Sequence, residues 1–247
     1  MTQRVAVVTG GAGGLGTAIC MALADAGRKV VATDMIADQP QGQLWLDECR
    51  NQGYHFELAN MDVTDFDACA GAFAQIESSF GPVEILINCA GITRDGTFKR
   101  MTSEQWHEVI STNLDSVFNV TKHVIEGMMD RGFGRVVNIS SLNGQKGQFG
   151  QANYSAAKAG MHGFTMALAQ ETARRGVTVN TVSPGYVGTQ MVMAVPAEVR
   201  EKIIAEIPVG RLGKPEEIAD SVVFLQREEA GFITGMDLSI NGGQYMH

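Results

Sequence analysis

Short apolar runs alternate along the chain with longer amphipathic stretches. Runs at Val5–Thr9, Lys29–Asp34, Tyr54–Ala59, Ile85–Asn88, Arg135–Ile139, Thr178–Ser183 and Leu238–Ile240 have the length and composition of strands. Several are continuously apolar, as in Val5-Ala6-Val7-Val8 and Ile85-Leu86-Ile87. A strand covered by helices on both faces needs that pattern. Helix-length stretches lie between them, among them Leu15–Ala26, Phe66–Ser79, Glu104–Asp130 and Tyr154–Arg174. The alternation predicts one α/β domain over residues 1–247, a doubly wound parallel sheet of about seven strands. Right-handed crossovers then bring the strand C-termini to one edge, where ligands bind. One segment breaks the rhythm. Thr189 to Gly213 carries Pro196, Pro208 and a short amphipathic run, Glu198–Ile207. At the ligand edge it reads as a mobile substrate lid, with a packed surface helix pair as the alternative.

The first strand runs straight into Thr9-Gly10-Gly11-Ala12-Gly13-Gly14-Leu15-Gly16, and a helix pattern follows at once. Glycines there let backbone N–H groups approach a pyrophosphate, and the helix N-terminus behind them adds partial positive charge. A glycine run alone is weak; between a first strand and a first helix it points to a Rossmann-type dinucleotide site. The second strand ends in Asp34, whose carboxylate can accept from the adenosine ribose hydroxyls and would repel a 2′-phosphate. No Lys or Arg lies between Arg4 and Arg28, or between Lys29 and Arg50. A buried phosphate dianion needs such a cation, so the expectation is NAD over NADP, with NADH preferred. A distant Arg brought in by the fold, or a merely solvated Asp34, is the competing reading. Asp62 and Val63 follow the third strand and can meet the adenine. Asn88-Cys89-Ala90-Gly91 follows the fourth, with Ala90 and Gly91 small enough for close backbone approach.

Tyr154-Ser155-Ala156-Ala157-Lys158 opens a helix pattern and puts Tyr154 and Lys158 on one face. Ser141 lies just past the fifth strand, and Asn113 interrupts an otherwise regular helix pattern, which is mildly unfavourable and needs a reason. Carbonyl reduction needs a proton donor at oxygen while hydride reaches carbon. A free tyrosine, with its pKa near ~10, is a poor acid–base group at neutral pH. Lys158, with the positive nicotinamide of an oxidised cofactor, is the expected source of phenolate stabilisation. Ser141 can orient the substrate oxygen, Lys158 can hold the nicotinamide ribose, and Asn113 can hold a water that links Lys158 to solvent. Taken singly, these are a chance spacing, a strand-end cap and a stray amide. Together and in order they are a catalytic set.

Charge and composition narrow the field. The formal net charge of -8 argues against a nucleic-acid partner. No apolar run reaches the ~20 residues of a membrane span, and the N-terminus opens into a strand with no leader pattern. The expectation is a soluble cytoplasmic protein. Cys20, Cys49, Cys69 and Cys89 show no metal or redox spacing and read as idle thiols in a reducing compartment. No metal site is expected.

T-G-x-x-x-G-x-G at Thr9–Gly16, N-x-A-G at Asn88–Gly91, Asn113, Ser141, Y-x-x-x-K and Pro184-Gly185 together resemble the short-chain dehydrogenase/reductase family. The resemblance covers essentially the whole chain. It implies Tyr154 as general acid/base, Ser141 and Asn113 as assistants, and Lys158 in both roles above. It extends the cofactor contacts to Leu15, Ile92, Pro184, Gly185 and Val187. It also implies a homotetramer assembled through the long helical segments Glu104–Asp130 and Tyr154–Arg174 and the Leu238–His247 tail. Cys89 departs from the commoner N-N-A-G, where backbone rather than side chain is expected to matter.

The loop from Leu142 to Gln151 must border the reacting carbon, since both its flanks are catalytic. Its amides, Gln148 and Gln151, suit a thioester carbonyl better than a sugar or a sterol. Gly91-Ile92-Thr93-Arg94-Asp95, Ser183-Pro184-Gly185-Tyr186 and Asn241-Gly242-Gly243 resemble the acetoacetyl-CoA reductases of polyhydroxybutyrate synthesis. That resemblance implies an acyl-CoA substrate shaped by Asp95, Gln148, Gln151 and Tyr186, with Lys99, Arg100 and Lys146 as candidates for the CoA phosphates. Such reductases commonly use NADPH, which conflicts with Asp34. Rival readings are a 3-oxoacyl-acyl-carrier-protein reductase, an oxidative alcohol or sugar dehydrogenase, and a non-catalytic dinucleotide sensor.

Overall fold

The structure is a computed structural model and describes residues 3–246, apart from the side chain of Met191. Its strands are β1 (Val5–Thr9), β2 (Lys29–Asp34), β3 (Glu57–Asn60), β4 (Val83–Asn88), β5 (Gly134–Ile139), β6 (Val177–Pro184) and β7 (Asp237–Ile240). They form one seven-stranded sheet in the order β3-β2-β1-β4-β5-β6-β7, and every pairing is parallel. The helices are α1 (Gly14–Asp25), α2 (Pro40–Asn51), α3 (Phe66–Phe80), α4 (Ser103–Ile110), α5 (Ser116–Arg131), α6 (Leu142–Lys146), α7 (Ala152–Thr172), α8 (Gln190–Met193), α9 (Ala197–Ala205) and α10 (Pro215–Leu225).

Strand periodicity splits the core in two. Ala6 and Val8 pack with Ile19, Leu23, Trp45, Ile218 and Val222 on the face covered by α1, α2 and α10. Val5 and Val7 point the other way, against Cys69, Phe73, Ile76, Val120, Val124 and Met128 of α3 and α5. That is why β1 is apolar at every position from Val5 to Val8. The order reverses between β1 and β4, which opens a crevice at their C-terminal ends. Thr9 fixes its floor. Its hydroxyl oxygen accepts from the N–H groups of Cys89 and Ala90, at 3.0 and 3.1 Å.

Two expected elements differ. The third strand begins at Glu57, not Tyr54; ahead of it Phe56 stacks between Trp45 and Tyr54, with ring centroids 5.7 and 5.6 Å away. The helix expected over Glu104–Asp130 is α4 and α5 joined by a π-helical turn at Ser111–Asp115. The apolar period survives such a one-residue widening, so the pattern does not reveal it. Asn113 lies inside the turn, which is the physical reason for a polar residue at mid-helix. Thr189 to Gly213 folds as α8, α9 and a turn leading to α10. No helix among the described residues is long and apolar enough to cross a membrane.

Candidate active site

A cavity of about 570 Å³ fills the crevice, a size ordinary for small-molecule sites. Gly10, Gly13, Gly14, Leu15, Gly16, Asp34 and Val63 line one end; Ile92, Ser141, Tyr154, Lys158, Pro184, Gly185 and Val187 line the other, with Ala90 and Gly91 between. Ser141, Tyr154 and Lys158 therefore meet most of the expected dinucleotide residues in one place, whereas Asp62, Asn88 and Asn113 do not line the cavity.

The first end fits a dinucleotide on several counts. Gly10 has φ +61° and would press a Cβ to 2.9 Å from the Ala90 Cα, so any larger residue would both strain the turn and close the cradle. Gly13 caps α1 without a side-chain hydrogen bond, and the first turn of α1 holds no acid, so the positive helix end is left to a ligand. Lys158 is the one cation among the described lining residues, and it sits at the far end from Asp34.

Two expected cofactor residues are placed differently. Asn88 shares the strand face of Leu86 and points into the fold, donating to Asn138 at 2.8 Å and Thr121 at 3.1 Å. It braces β4 from behind and does not line the cavity. Asp62 turns its Oδ1 to the N–H and hydroxyl of Thr64, at 2.8 and 2.7 Å, while its neighbours Met61 and Val63 line the wall.

At the other end, side chains hold side chains. Asn113 is fully buried. Its Oδ1 accepts from the Ile92 N–H at 3.2 Å, and its Nδ2 donates to Ile92 O at 2.9 Å and Val109 O at 2.8 Å. Both amide hydrogens are thus committed, which leaves one Oδ1 lone pair for the expected water. Gly91 must be small because a Cβ there would meet Asn113 Oδ1 at 2.6 Å. Lys158 is buried, and its Nζ donates to Ile139 O at 2.7 Å. Burial pushes the Lys158 pKa down to about 8. Ser141 caps α6: its Oγ accepts from the Asn143 N–H at 3.1 Å, so its own hydrogen is free to turn to Tyr154 or to a substrate oxygen.

The expected depression of Tyr154 by Lys158 is not what the protein alone produces. Burial pushes the Tyr154 phenol up to about 12; a hydrogen bond with Ser141 opposes the rise, and Cys89 and Asp95 add to it. Lys158 Nζ sits 5.6 Å from the Tyr154 ring centroid and is turned to the Ile139 carbonyl. For reduction this is the useful state, because a general acid must hold its proton at neutral pH.

Gln151 and Asp95 come together, with Gln151 Nε2 3.0 Å from each Asp95 carboxylate oxygen. Gln151 Oε1 accepts from Asn143 Nδ2 at 2.9 Å, which ties this pair to the Ser141 cap. Gln148 contributes its backbone carbonyl to the Gln151 N–H. Tyr186 lines a smaller cavity of about 220 Å³ with Ile207, Val209 and Arg211. These four flank the main cavity without lining it.

Several residues escaped sequence reasoning. Asn153, fully buried, caps the Tyr154 N–H at 2.8 Å and donates to Arg94 O and Gln105 O, at 3.2 and 3.1 Å. An Asn beside the start of a helix was the available signal. Thr189 and Gln190 also line the cavity, and Gly14 faces them: a Cβ there would be 3.5 Å from the Thr189 Cβ.

The comparisons agree with this geometry. A family model described as short chain dehydrogenase matches residues 4–200. The chain is 58% identical over 246 residues to an acetoacetyl-CoA reductase of Cupriavidus necator, covering 100% of both chains. An acetoacetyl-CoA reductase of Rhizobium meliloti is 56% identical, with 98% of this chain and 99% of the relative covered. A 3-oxoacyl-[acyl-carrier-protein] reductase of Vibrio cholerae is 45% identical, covering 98% of each. With a glycine-lined crevice, Ser141, Tyr154 and Lys158 in one cavity, and relatives that span its full length, the chain belongs to the short chain dehydrogenase family.

Proposed function

We propose that this enzyme reduces acetoacetyl-CoA to (R)-3-hydroxybutyryl-CoA, preferring NADH to NADPH, and so feeds polyhydroxybutyrate synthesis. The observation that carries the reading is the meeting of Ser141, Tyr154 and Lys158 in a cavity whose other end suits a dinucleotide. When bound, the reduced nicotinamide supplies the hydride. The protein supplies the rest. The glycine loop and the α1 N-terminus hold the pyrophosphate, Asp34 takes the adenosine ribose, and Lys158 holds the nicotinamide ribose. Ser141 donates to the 3-oxo oxygen and orients it; Tyr154 delivers a proton to that oxygen as negative charge develops there.

The names of the relatives from Cupriavidus necator and Rhizobium meliloti support the acyl-CoA substrate. So does Gln151 beside the site, whose side-chain N–H group, oriented by Asp95, is a donor of the kind a thioester carbonyl accepts. Lys99, Arg100 and Lys146 are exposed on the segments that carry Asp95 and Gln148 and are assigned to the CoA phosphates. Residues 189–213 are assigned as the lid of the single catalytic domain, supported by Thr189, Gln190 and Val192 lining the cavity. A homotetramer is supported by exposed Phe118 and Met166 on α5 and α7 and by exposed Met236 and Met246 around β7. The absence of any cation but Lys158 among the described lining residues supports NADH.

Initial rates on acetoacetyl-CoA, with NADH and NADPH side by side and with a 3-oxoacyl-acyl-carrier-protein for comparison, test the substrate and cofactor assignments. The expected order is acetoacetyl-CoA above the carrier-bound substrate, and NADH above NADPH. A specificity constant about tenfold or more in favour of NADPH would sink the cofactor assignment. Faster turnover of the carrier-bound substrate would sink the acyl-CoA assignment.

A further inference from the structure

Behind the catalytic residues lies a polar cluster that the mechanism above does not use. Lys158 and His162 are one turn apart on α7 and share a face. His162 Nε2 lies 2.8 Å from Ser140 Oγ, 3.3 Å from Ser183 Oγ and 3.4 Å from Asp237 Oδ2. Asp237 is itself held by Ser183, which donates to Oδ1 at 2.7 Å, and by Gln145, whose Nε2 donates to Oδ2 at 2.7 Å. Gln145 belongs to α6, the short helix capped by Ser141. The cluster therefore touches β6, β7, α6, α7 and the chain between the two catalytic elements.

The hydrogens can be counted. Ser140 has one, and it goes to the Lys158 carbonyl at 3.0 Å. Ser183 has one, and it goes to Asp237. Both hydroxyl oxygens are then acceptors toward His162, and so is the Asp237 carboxylate. Three acceptors converge on Nε2, so Nε2 carries the proton and donates. The opposite tautomer would set a lone pair against three others.

What this donor holds is the segment Ile139-Ser140-Ser141. Its three residues reach the catalytic groups by three routes. The Ile139 carbonyl takes Lys158 Nζ, Ser140 Oγ takes hold of α7 at the Lys158 carbonyl, and Ser141 lines the same cavity as Tyr154. Sliding this segment against α7 would shift all three at once. We propose that His162 is a positioning residue: its Nε2–H, anchored by Asp237, locks the Ile139–Ser141 segment to α7 and so sets the Ser141–Tyr154–Lys158 geometry. The proposal rests on the catalytic reading of those three residues, and it assigns His162 no contact with substrate or cofactor.

Glutamine places an N–H donor where His162 Nε2 stands, whereas phenylalanine keeps the ring and removes the donor. His162→Gln is expected to keep kcat within about threefold of the unmodified enzyme. His162→Phe is expected to lower kcat by about tenfold or more, with the acetoacetyl-CoA KM moved by less than about twofold, since misalignment harms the proton transfer more than binding. On the unmodified chain, imidazole ¹⁵N shifts are expected to report the Nε2–H tautomer at neutral pH, with the His162 signal assigned by its loss in His162→Gln. That measurement stands whether or not the Phe variant folds. An Nδ1–H tautomer, an unimpaired Phe variant, or a Gln variant as slow as the Phe variant overturns the proposal. Tyr154→Phe run in parallel separates the layers. If it too retains turnover, the catalytic reading has failed; if it alone is inactive, only the role of His162 has.

Discussion

The two ends of the cavity are made of different materials. At the dinucleotide end the wall is backbone: Gly10 to Gly16, Ala90, Gly91 and a helix terminus with no side-chain cap. Asp34 is its one charged group. At the catalytic end each important side chain is gripped by another group. Asn113 holds Ile92, Asn153 holds Arg94 and the start of α7, Gln151 holds Asp95, and Lys158 reaches back to Ile139. The difference follows from the tasks. A pyrophosphate asks for room and dipoles, which the strand–glycine–helix turn provides by its shape. Proton transfer asks for placement within roughly 0.5 Å, which a lone side chain on a surface does not keep.

On that contrast the largest loss comes from the group that moves the proton. Tyr154→Phe keeps the ring and removes the hydroxyl, and kcat is expected to fall about 10³-fold, the usual worth of a general acid. Dinucleotide affinity, measured by fluorescence titration, is expected to change little. A large loss of cofactor binding instead would mean that the two ends are not separately built. Asn113→Leu attacks the grip rather than the chemistry. It leaves the half-buried Ile92 N–H and carbonyl and the buried Val109 carbonyl without their partner. Urea denaturation is expected to show a loss of about 3 kcal/mol, since each buried unsatisfied group costs roughly 1–3 kcal/mol. An unchanged midpoint would show that the π-helical turn is held by packing alone.

The same contrast decides what was legible in the sequence. The glycine cradle of the dinucleotide end is contiguous. Val5 to Asp25 contains the strand, the glycines and the helix in order, so local pattern was enough. The sheet was legible for a related reason, because strands buried on both faces are continuously apolar. The grips were not, because they join residues far apart. Gln151 and Asp95 are 56 positions apart, and Asn153 and Gln105 are 48. No periodicity announces such pairs. Asn113 is legible as a member of the catalytic set and as a mid-helix anomaly, but not as a clamp on Ile92 and Val109 inside a π-helical turn. Asn88 shows the converse failure: its place at a strand end suggested a ligand contact, but strand alternation turns it inward with Leu86.

A smaller effect comes from the buried ammonium. Burial depresses the Lys158 pKa to about 8, below its ordinary value. Between the two values the unfolded chain binds a proton that the folded chain does not, so this group's contribution to stability rises with pH through that window. Below it, the folded state bears the cost of a buried charge. Lys158→Met removes the cost. Relative to the variant, the unmodified enzyme is expected to gain about 2 kcal/mol between pH 7 and pH 9.5. Paired urea titrations at the two pH values measure the gap. A gap that stays constant would show that the Ile139 carbonyl compensates for burial and keeps the ammonium charged in both states.

The smallest effect is expected at Asp34, where one exposed-edge charge sets a preference rather than a rate. Asp34 is half-buried at the end of β2, and its Oδ1 accepts a long hydrogen bond of 3.3 Å from the Ile36 N–H. Its carboxylate is therefore free to face a ribose. Partial exposure screens it, so its repulsion of a 2′-phosphate is far below the dry-interior limit of Coulomb's law. Asp34→Ala removes both the ribose acceptor and the repulsion. The NADH specificity constant is expected to fall and the NADPH constant to rise, shifting their ratio by about tenfold, or ~1.4 kcal/mol. The shift should shrink as salt is raised, because exposed charges are screened. Tyr154→Phe must not move the ratio at all, since its loss falls on both cofactors alike. A ratio that moved with Tyr154 and stayed fixed with Asp34 would reverse the assignment of roles to the two ends.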